Sequence, residues 1–119
     1  MNRTAVLAAL SAMASDVRLD LLRLLVVAGP DGLSAGDIAV RMGLAASRLS
    51  FHLSALEQAR LVRARRDGRN IFYSADHSGI GGVLGYILHD CCAGHPQVCL
   101  TAAEAGRSDE GLSPRPAAP

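Results

Sequence analysis

The spacing of apolar residues is helical except in one short stretch of the chain, and this exception constrains the fold more than any other feature. In the first half of the chain the apolar side chains recur at helical spacing, as Leu49, Leu53 and Leu56 do. Two short runs of strand-like, period-two pattern follow, separated by Asp67 and Gly68. An Asp-Gly pair between such runs predicts a β-hairpin with a tight turn. The chain is therefore expected to be mainly α-helical, with one hairpin before its last helix.

Local start and stop signals divide the helical part into short segments. Ser15 and Asp16 form an N-cap and first-turn pair for the second helix, and the Gly-Pro-Asp-Gly run at 29–32 ends it. Ser34 with Asp37 three residues later resembles a capping box, which predicts the start of a third helix. The predicted helices cover residues 3–14, 15–28, 34–42, 46–58 and 76–90.

Glycine is unusually frequent in the last predicted helix. Gly79, Gly81, Gly82 and Gly85 each cost about 1 kcal/mol relative to alanine inside a helix. Such a helix must be stabilised by packing, or its small residues allow another helix to approach closely.

The length of 119 residues fits one domain with a tail. We assign the domain to residues 1–100 and do not expect helix after Gly94. Residues 101–119, dominated by small, polar and proline residues, are predicted to be a disordered tail.

Positive charge is concentrated at the predicted hairpin. All 12 basic residues are arginine, while the net charge is only +1. Five of them lie within ten residues, opposed only by Asp67: Arg60, Arg63, Arg65, Arg66 and Arg69. Such a patch on a nearly neutral chain is typical of phosphate contact. The simpler alternative is a charged edge strand that only prevents aggregation.

The predicted helix at 46–58 has a polar side opposite its leucine stripe. A short helix, a turn, a second helix with a polar face and then a basic hairpin is the order of a winged helix-turn-helix, although the face could be merely solvated. His52 lies nearer the apolar seam, as a packed or phosphate-facing side chain rather than a metal ligand. The residues expected to contact double-stranded DNA are Ser47, Arg48, Ser50, Phe51, His52 and Ser54 on the helix, and Arg63, Arg65, Arg66 and Arg69 on the hairpin.

The only cysteines of the chain, Cys91, Cys92 and Cys99, lie within nine residues. Thiolates bind soft ions, and three of them can form a pyramidal set that suits trivalent arsenic or antimony. Zinc, cadmium or lead would favour a fourth ligand such as His95. A disulfide from Cys99 to one of the other two would instead make a redox switch, and three incidental thiols are the simplest alternative.

Two classes of protein are disfavoured by what the sequence lacks. The apolar run at 19–28 is interrupted by charges and too short to span a membrane, and no signal peptide is recognisable. A cytoplasmic chain with reduced thiols and no membrane partner is expected. A small thiol enzyme is disfavoured because no Cys-x-x-Cys follows a strand and opens a helix. We expect no enzyme activity and no organic cofactor; a protein-interaction module remains as an alternative.

Residues 44–62 (LAASRLSFHLSALEQARLV) and 65–73 (RRDGRNIFY) resemble the recognition helix and wing of the ArsR/SmtB family of bacterial metal-responsive repressors. Residues 90–99 are similar to the Cys-Cys-x-Gly-x-Pro-x-x-Cys segment of one arsenic-responsive group in that family. The best-known arsenic site of the family, a Cys-x-Cys pair before the recognition helix, has no counterpart at 33–38. The resemblance implies a homodimer through the first and last helices that binds operator DNA. It also implies release of the operator when trivalent arsenic, as arsenite or methylarsenite, or antimony binds these cysteines.

Overall fold

The computed structural model describes residues 1–91 and 96–107, and its helices follow one another with one small sheet between them. The helices are α1 (Arg3–Met13), α2 (Asp16–Ala28), α3 (Ala35–Met42), α4 (Ala46–Gln58), α5 (His77–Gly85) and α6 (Pro96–Arg107). The strands are β1 (Leu33–Ser34), β2 (Val62–Asp67) and β3 (Asn70–Ala75). A π-helical segment, Tyr86–Cys91, continues directly from α5. The predicted fold class, mainly α with a β-hairpin wing in a winged helix-turn-helix, is confirmed.

Polar side chains cap several of the helices at their N-termini. The Ser15 hydroxyl accepts a hydrogen bond from the Arg18 backbone N–H at 3.4 Å, and Ser34 accepts one from Asp37 at 3.2 Å. The Asp76 carboxylate accepts one from Gly79 at 3.1 Å. These bonds satisfy backbone donors that a helix leaves unpaired, so α2, α3 and α5 begin where the sequence placed their starts, within a residue or two.

A core of aliphatic side chains holds the helices and the sheet together. Leu49, Leu53 and Leu56 of α4 are at most 2% exposed, which confirms the predicted leucine stripe. They pack in one cluster with Leu21 and Leu25 of α2, among other residues. Full burial of such a side chain contributes roughly 1.5–3 kcal/mol. The buried stripe therefore fixes which side of α4 faces solvent.

The three strands form an antiparallel sheet in the order β1-β3-β2. In the hairpin, Arg65 lies opposite Phe72 and Asp67 opposite Asn70. The hairpin was predicted, but its turn is formed by Gly68 and Arg69 rather than by Asp67 and Gly68, because Asp67 still pairs with Asn70. β1 was not predicted. β1 has two residues, and so short a strand leaves no periodic pattern in the sequence.

The C-terminal part of the chain differs from the prediction. The last helix was predicted to be α-helical through residue 90, but the backbone widens to a π-helix after Gly85. No helix was expected after Gly94, yet α6 begins at Pro96 and ends at Arg107, so the predicted disorder of 101–107 is wrong. Proline suits the first helical turn, and the alanines that follow favour helix. Residues 92–95 and 108–119, and most of the predicted tail with them, lie outside the described residues.

One glycine of α5 is required by close packing within the chain. A Cβ at Gly79 would overlap the backbone carbonyl oxygen of Arg60. Arg60 itself has a left-handed backbone with φ of 61°, and the next residue, Leu61, accepts a hydrogen bond from the Asp76 N–H at 2.9 Å. The start of α5 is thus joined to the junction between α4 and β2.

Candidate nucleic-acid interface

The solvent-facing side of α4 is polar apart from one aromatic ring. The leucine stripe turns inward, and the Phe51 side chain on the outer side is 65% exposed. Apolar rings of this kind can contact thymine methyl groups, while serine and arginine bind base edges or phosphates. The predicted contact residues on α4 that are exposed are Ser47, Arg48, Ser50, Phe51 and Ser54.

His52 differs from its neighbours on α4 because it is half-buried and has a partner on another helix. Its Nδ1 accepts a hydrogen bond from the Arg18 Nε–H at 3.1 Å. Its ring meets the Phe51 ring edge-on, with centroids 5.5 Å apart and planes at 68°. The Arg18 guanidinium carbon also lies 5.6 Å from the Phe51 centroid, within range of a cation–π contact. The three side chains form a cluster, which we call the Arg18 cluster: Arg18, Phe51 and His52.

Burial and nearby positive charge both favour the neutral form of His52. Partial desolvation, followed by the charges of Arg18 and Arg48, lowers the pKa of His52 below its ordinary value of 6.5. Both effects favour the neutral imidazole at pH 7. A neutral ring that accepts at Nδ1 carries its proton on Nε2.

The wing presents arginines from both sides of its turn. Arg63, Arg66 and Arg69 are exposed, as predicted for residues that contact phosphate. Arg65 is exposed as well, but its guanidinium makes contacts within the protein. It lies 4.9 Å from the Phe72 ring centroid and donates to the Asp31 backbone carbonyl at 3.3 Å. It also faces the Asp67 carboxylate at 3.7 Å.

These contacts separate Arg65 from the other wing arginines. Its side chain crosses Phe72 of β3 to reach the turn before β1, so it joins the wing to the body of the domain. The structure brings Ser47, Arg48, Phe51 and the wing arginines onto solvent-facing surfaces, but it holds the exposed Arg65 guanidinium against Phe72 and the Asp31 carbonyl. That Arg63, Arg65, Arg66 and Arg69 contact phosphates stays a prediction.

The predicted sensor residues lie at the edge of the described structure. Cys91 is the last residue of the π-helical segment and Cys99 is the fourth residue of α6; their side chains are not among those described. Cys92 and His95 lie outside the described residues. Among the side chains that the structure describes, which do not include those of Cys91 and Cys99, no three His, Cys, Asp or Glu are grouped to hold a metal ion. The metalloid site stays a prediction.

The helices of the described part are all too short or too polar to cross a membrane.

Comparisons with known proteins place this geometry in a class. A family model described as a helix-turn-helix domain matches residues 13–65. The chain is 32% identical over 85 residues to the HTH-type transcriptional regulator YgaV of Escherichia coli, covering 71% of this chain and 84% of YgaV. It is 41% identical over 76 residues to the nodulation protein NolR of Rhizobium meliloti, covering 64% of this chain and only 60% of NolR.

A solved structure gives the same architecture. The chain is similar to the homodimeric winged helix-turn-helix DNA-binding domain Mb0332 of Mycobacterium bovis, a possible ArsR-family regulator. The TM-score is 0.57 and the sequence identity is 26%, over 73% of this chain and 84% of that one. The chain therefore belongs to the helix-turn-helix transcriptional regulators. Within that class its structural neighbours are ArsR-like winged helix-turn-helix domains.

Proposed function

We propose that the chain is a dimeric transcriptional repressor whose operator complex dissociates when trivalent arsenic or antimony binds Cys91, Cys92 and Cys99. The exposed polar face of α4, backed by the buried leucine stripe and flanked by the arginine-rich wing, is the observation that carries the DNA-binding part. In this proposal α4 enters the major groove, and the wing arginines contact the phosphate backbone.

Exposed apolar residues on α1 and α5 support a dimer. Leu7 and Leu84 are 56% and 55% exposed, and Leu10 is 39% exposed. The two helices pack against each other, and apolar side chains exposed on neighbouring helices are typical of an interface. The homodimeric Mb0332 domain is consistent with this arrangement. A two-fold dimer would bring two copies of α4 to successive major grooves of a near-palindromic operator.

The position of the cysteines supports the effector part of the proposal. Cys91 ends the segment that continues α5, and Cys99 follows in α6. An ion bound by both regions would change how the chain turns between them. Since α5 belongs to the proposed interface, the spacing of the two DNA-binding units would change as well. The ion drives release only insofar as it binds the released state more tightly.

The three cysteines provide the test. A duplex selected by the wild-type protein from a random-sequence pool serves as operator, and fluorescence anisotropy follows its release. Cys91→Ser, Cys92→Ser and Cys99→Ser should each bind the duplex yet keep it when arsenite is added, because a serine hydroxyl stays protonated and is too hard for a soft ion. Cys99→Ser should retain part of the response to methylarsenite, which needs only two thiolates.

His95→Ala is the control, and it should release the duplex with arsenite as the wild type does. A strong defect in His95→Ala together with a normal response in Cys99→Ser would mean mixed nitrogen and sulfur ligands. That result would replace arsenic with zinc, cadmium or lead as effector. Release by a disulfide-forming oxidant, but not by arsenite, would identify a redox switch.

A further inference from the structure

Arg18 is on α2, outside the helix that is proposed to read DNA, but its side chain reaches two other helices. The Nε–H donates to His52 of α4 at 3.1 Å, and one terminal N–H donates to the Ala12 carbonyl of α1 at 3.5 Å. The guanidinium also lies against the Phe51 ring. A single side chain therefore contacts α1 and two aromatic side chains of α4.

The hydrogen bond to His52 determines where the imidazole proton lies. An arginine Nε–H can only donate, because the guanidinium keeps its proton in proteins. The bond therefore requires Nδ1 to be the acceptor, which leaves the proton on Nε2. Arg18 of α2 and Arg48 of α4 are the charges that act on the ring, and both disfavour a second proton. The result is a neutral ring with one donor at Nε2.

We propose that Arg18 is a positioning residue for DNA recognition, which fixes the tautomer of His52 and the placement of Phe51. As a result, α4 presents two groups to DNA in a fixed arrangement. These groups are the Nε2–H donor of His52, for a phosphate or base acceptor, and the exposed ring of Phe51, for a thymine methyl. Fixing them before binding reduces the ordering that complex formation requires. The inference rests on the proposed function only in that α4 must read DNA.

The first experiment needs no DNA. Nitrogen-15 NMR of the histidine side chains in the wild-type protein should show His52 with the proton on Nε2 near pH 7. In Arg18→Met, which keeps an unbranched side chain about as long as the aliphatic part of arginine but removes every donor, the His52 signals should shift towards a mixture of the two tautomers. Arg3→Met is the matched control, because it removes the same charge from an exposed position at the far end of α1. An unchanged tautomer in Arg18→Met would overturn the proposal.

The second experiment measures sequence preference. The ratio of affinities for the selected duplex and for a scrambled duplex should fall about five- to hundredfold in Arg18→Met, the range of one base contact. Arg3→Met should leave the ratio unchanged. His52→Asn keeps an acceptor near the Nδ1 position, whereas His52→Gln keeps a donor near the Nε2 position. Combining Arg18→Met with either His52 variant should cost less than the two losses added together, because Arg18 acts through His52.

Three other results would contradict the proposal. Equal loss of affinity for both duplexes in Arg18→Met, with a smaller salt dependence than in Arg3→Met, would make Arg18 a phosphate contact. A lower melting temperature with an unchanged affinity ratio would make it a structural residue only. Wild-type protein that prefers no duplex would refute the proposed function and this inference with it, whatever the tautomer of His52.

Discussion

Arg65 shows how a basic residue predicted to contact DNA can be held by the protein instead. Its contacts with Phe72, Asp31 and Asp67 depend on a register that only the paired strands define. The concentration of charge at the wing could be predicted from the sequence. Which arginines are free for phosphate and which one is held by the protein could not. The ion pair with Asp67 is exposed and adds little, so the ring contact and the carbonyl are the more important partners.

The wing arginines should therefore differ in their effect on DNA binding. Arg69→Ala should weaken binding to all sequences alike and lower the slope of log affinity against log salt by roughly one unit, since one phosphate contact is lost. Arg65→Ala should lower the slope by clearly less. Anisotropy titrations over a salt series measure both slopes. An equal fall in both variants would show that Arg65 leaves its intramolecular partners when DNA binds.

The folded protein should lose stability on acidification in part through His52. The pKa of His52 is below its ordinary value of 6.5 in the folded state, so the unfolded chain binds more protons as the pH drops through 6.5 towards the folded pKa. The stability from the neutral ring is complete above pH 6.5 and declines through this window. The melting temperature of the wild type should therefore fall further between about pH 7.5 and about pH 5 than that of His52→Asn, which has no titrating ring. Parallel curves would contradict this.

The Arg18 cluster had no signal in the sequence. Arg18 and His52 are 34 positions apart, and no sequence motif links the two residues. The individual residues of α4 could be placed on its outer face from periodicity alone. A partner contributed by a different helix follows only from how the helices cross.

At the scale of the elements, prediction succeeded where several signals agreed. The helix at 46–58 had a leucine stripe at regular spacing, and its bounds match α4. The hairpin was signalled both by a change of period and by an Asp-Gly pair, although the turn itself lies one residue further on. β1, the π-helical segment and α6 had no comparable agreement, because β1 is too short for a pattern and the π-turns do not alter composition. For α6, Gly94 and Pro96 in the sequence suggested a break more strongly than the alanines suggested a helix, yet Pro96 is the first residue of the helix.

Replacing two of the glycines of α5 by alanine should change the stability of the fold in opposite directions. Gly79→Ala should destabilise the fold by about 1–3 kcal/mol, because its Cβ meets the Arg60 carbonyl. Gly81→Ala should stabilise it by up to about 1 kcal/mol, since no described atom lies within 4 Å and alanine favours helix. Urea unfolding of both variants measures the difference. Loss of stability in Gly81→Ala would indicate that a partner helix packs closely at that position.

At the scale of the whole molecule, the proposed function depends on dimer formation. Leu84→Glu places a charge on the exposed apolar side of α5 and should shift the protein from dimer to monomer, with weaker binding to the selected duplex. Val40→Glu on α3 is the matched control: Val40 is 83% exposed, and α3 packs mainly against α4 and the sheet, so the variant should remain dimeric. Analytical ultracentrifugation separates the two states. A dimeric Leu84→Glu variant would place the interface elsewhere.

The contact between Gly79 and Arg60 has a mechanical consequence. At this contact the backbone of α5 packs directly against the backbone at Arg60, and the Asp76–Leu61 hydrogen bond lies beside it. Elsewhere in the core, flexible side chains can change rotamer when a helix shifts slightly. Two backbone segments in direct contact cannot adjust in this way. A tilt of α5 must therefore move residues 60 and 61, which form the elbow between α4 and the wing. The angle between α4 and the wing, and hence the way both would meet a duplex, therefore depends on the tilt of α5.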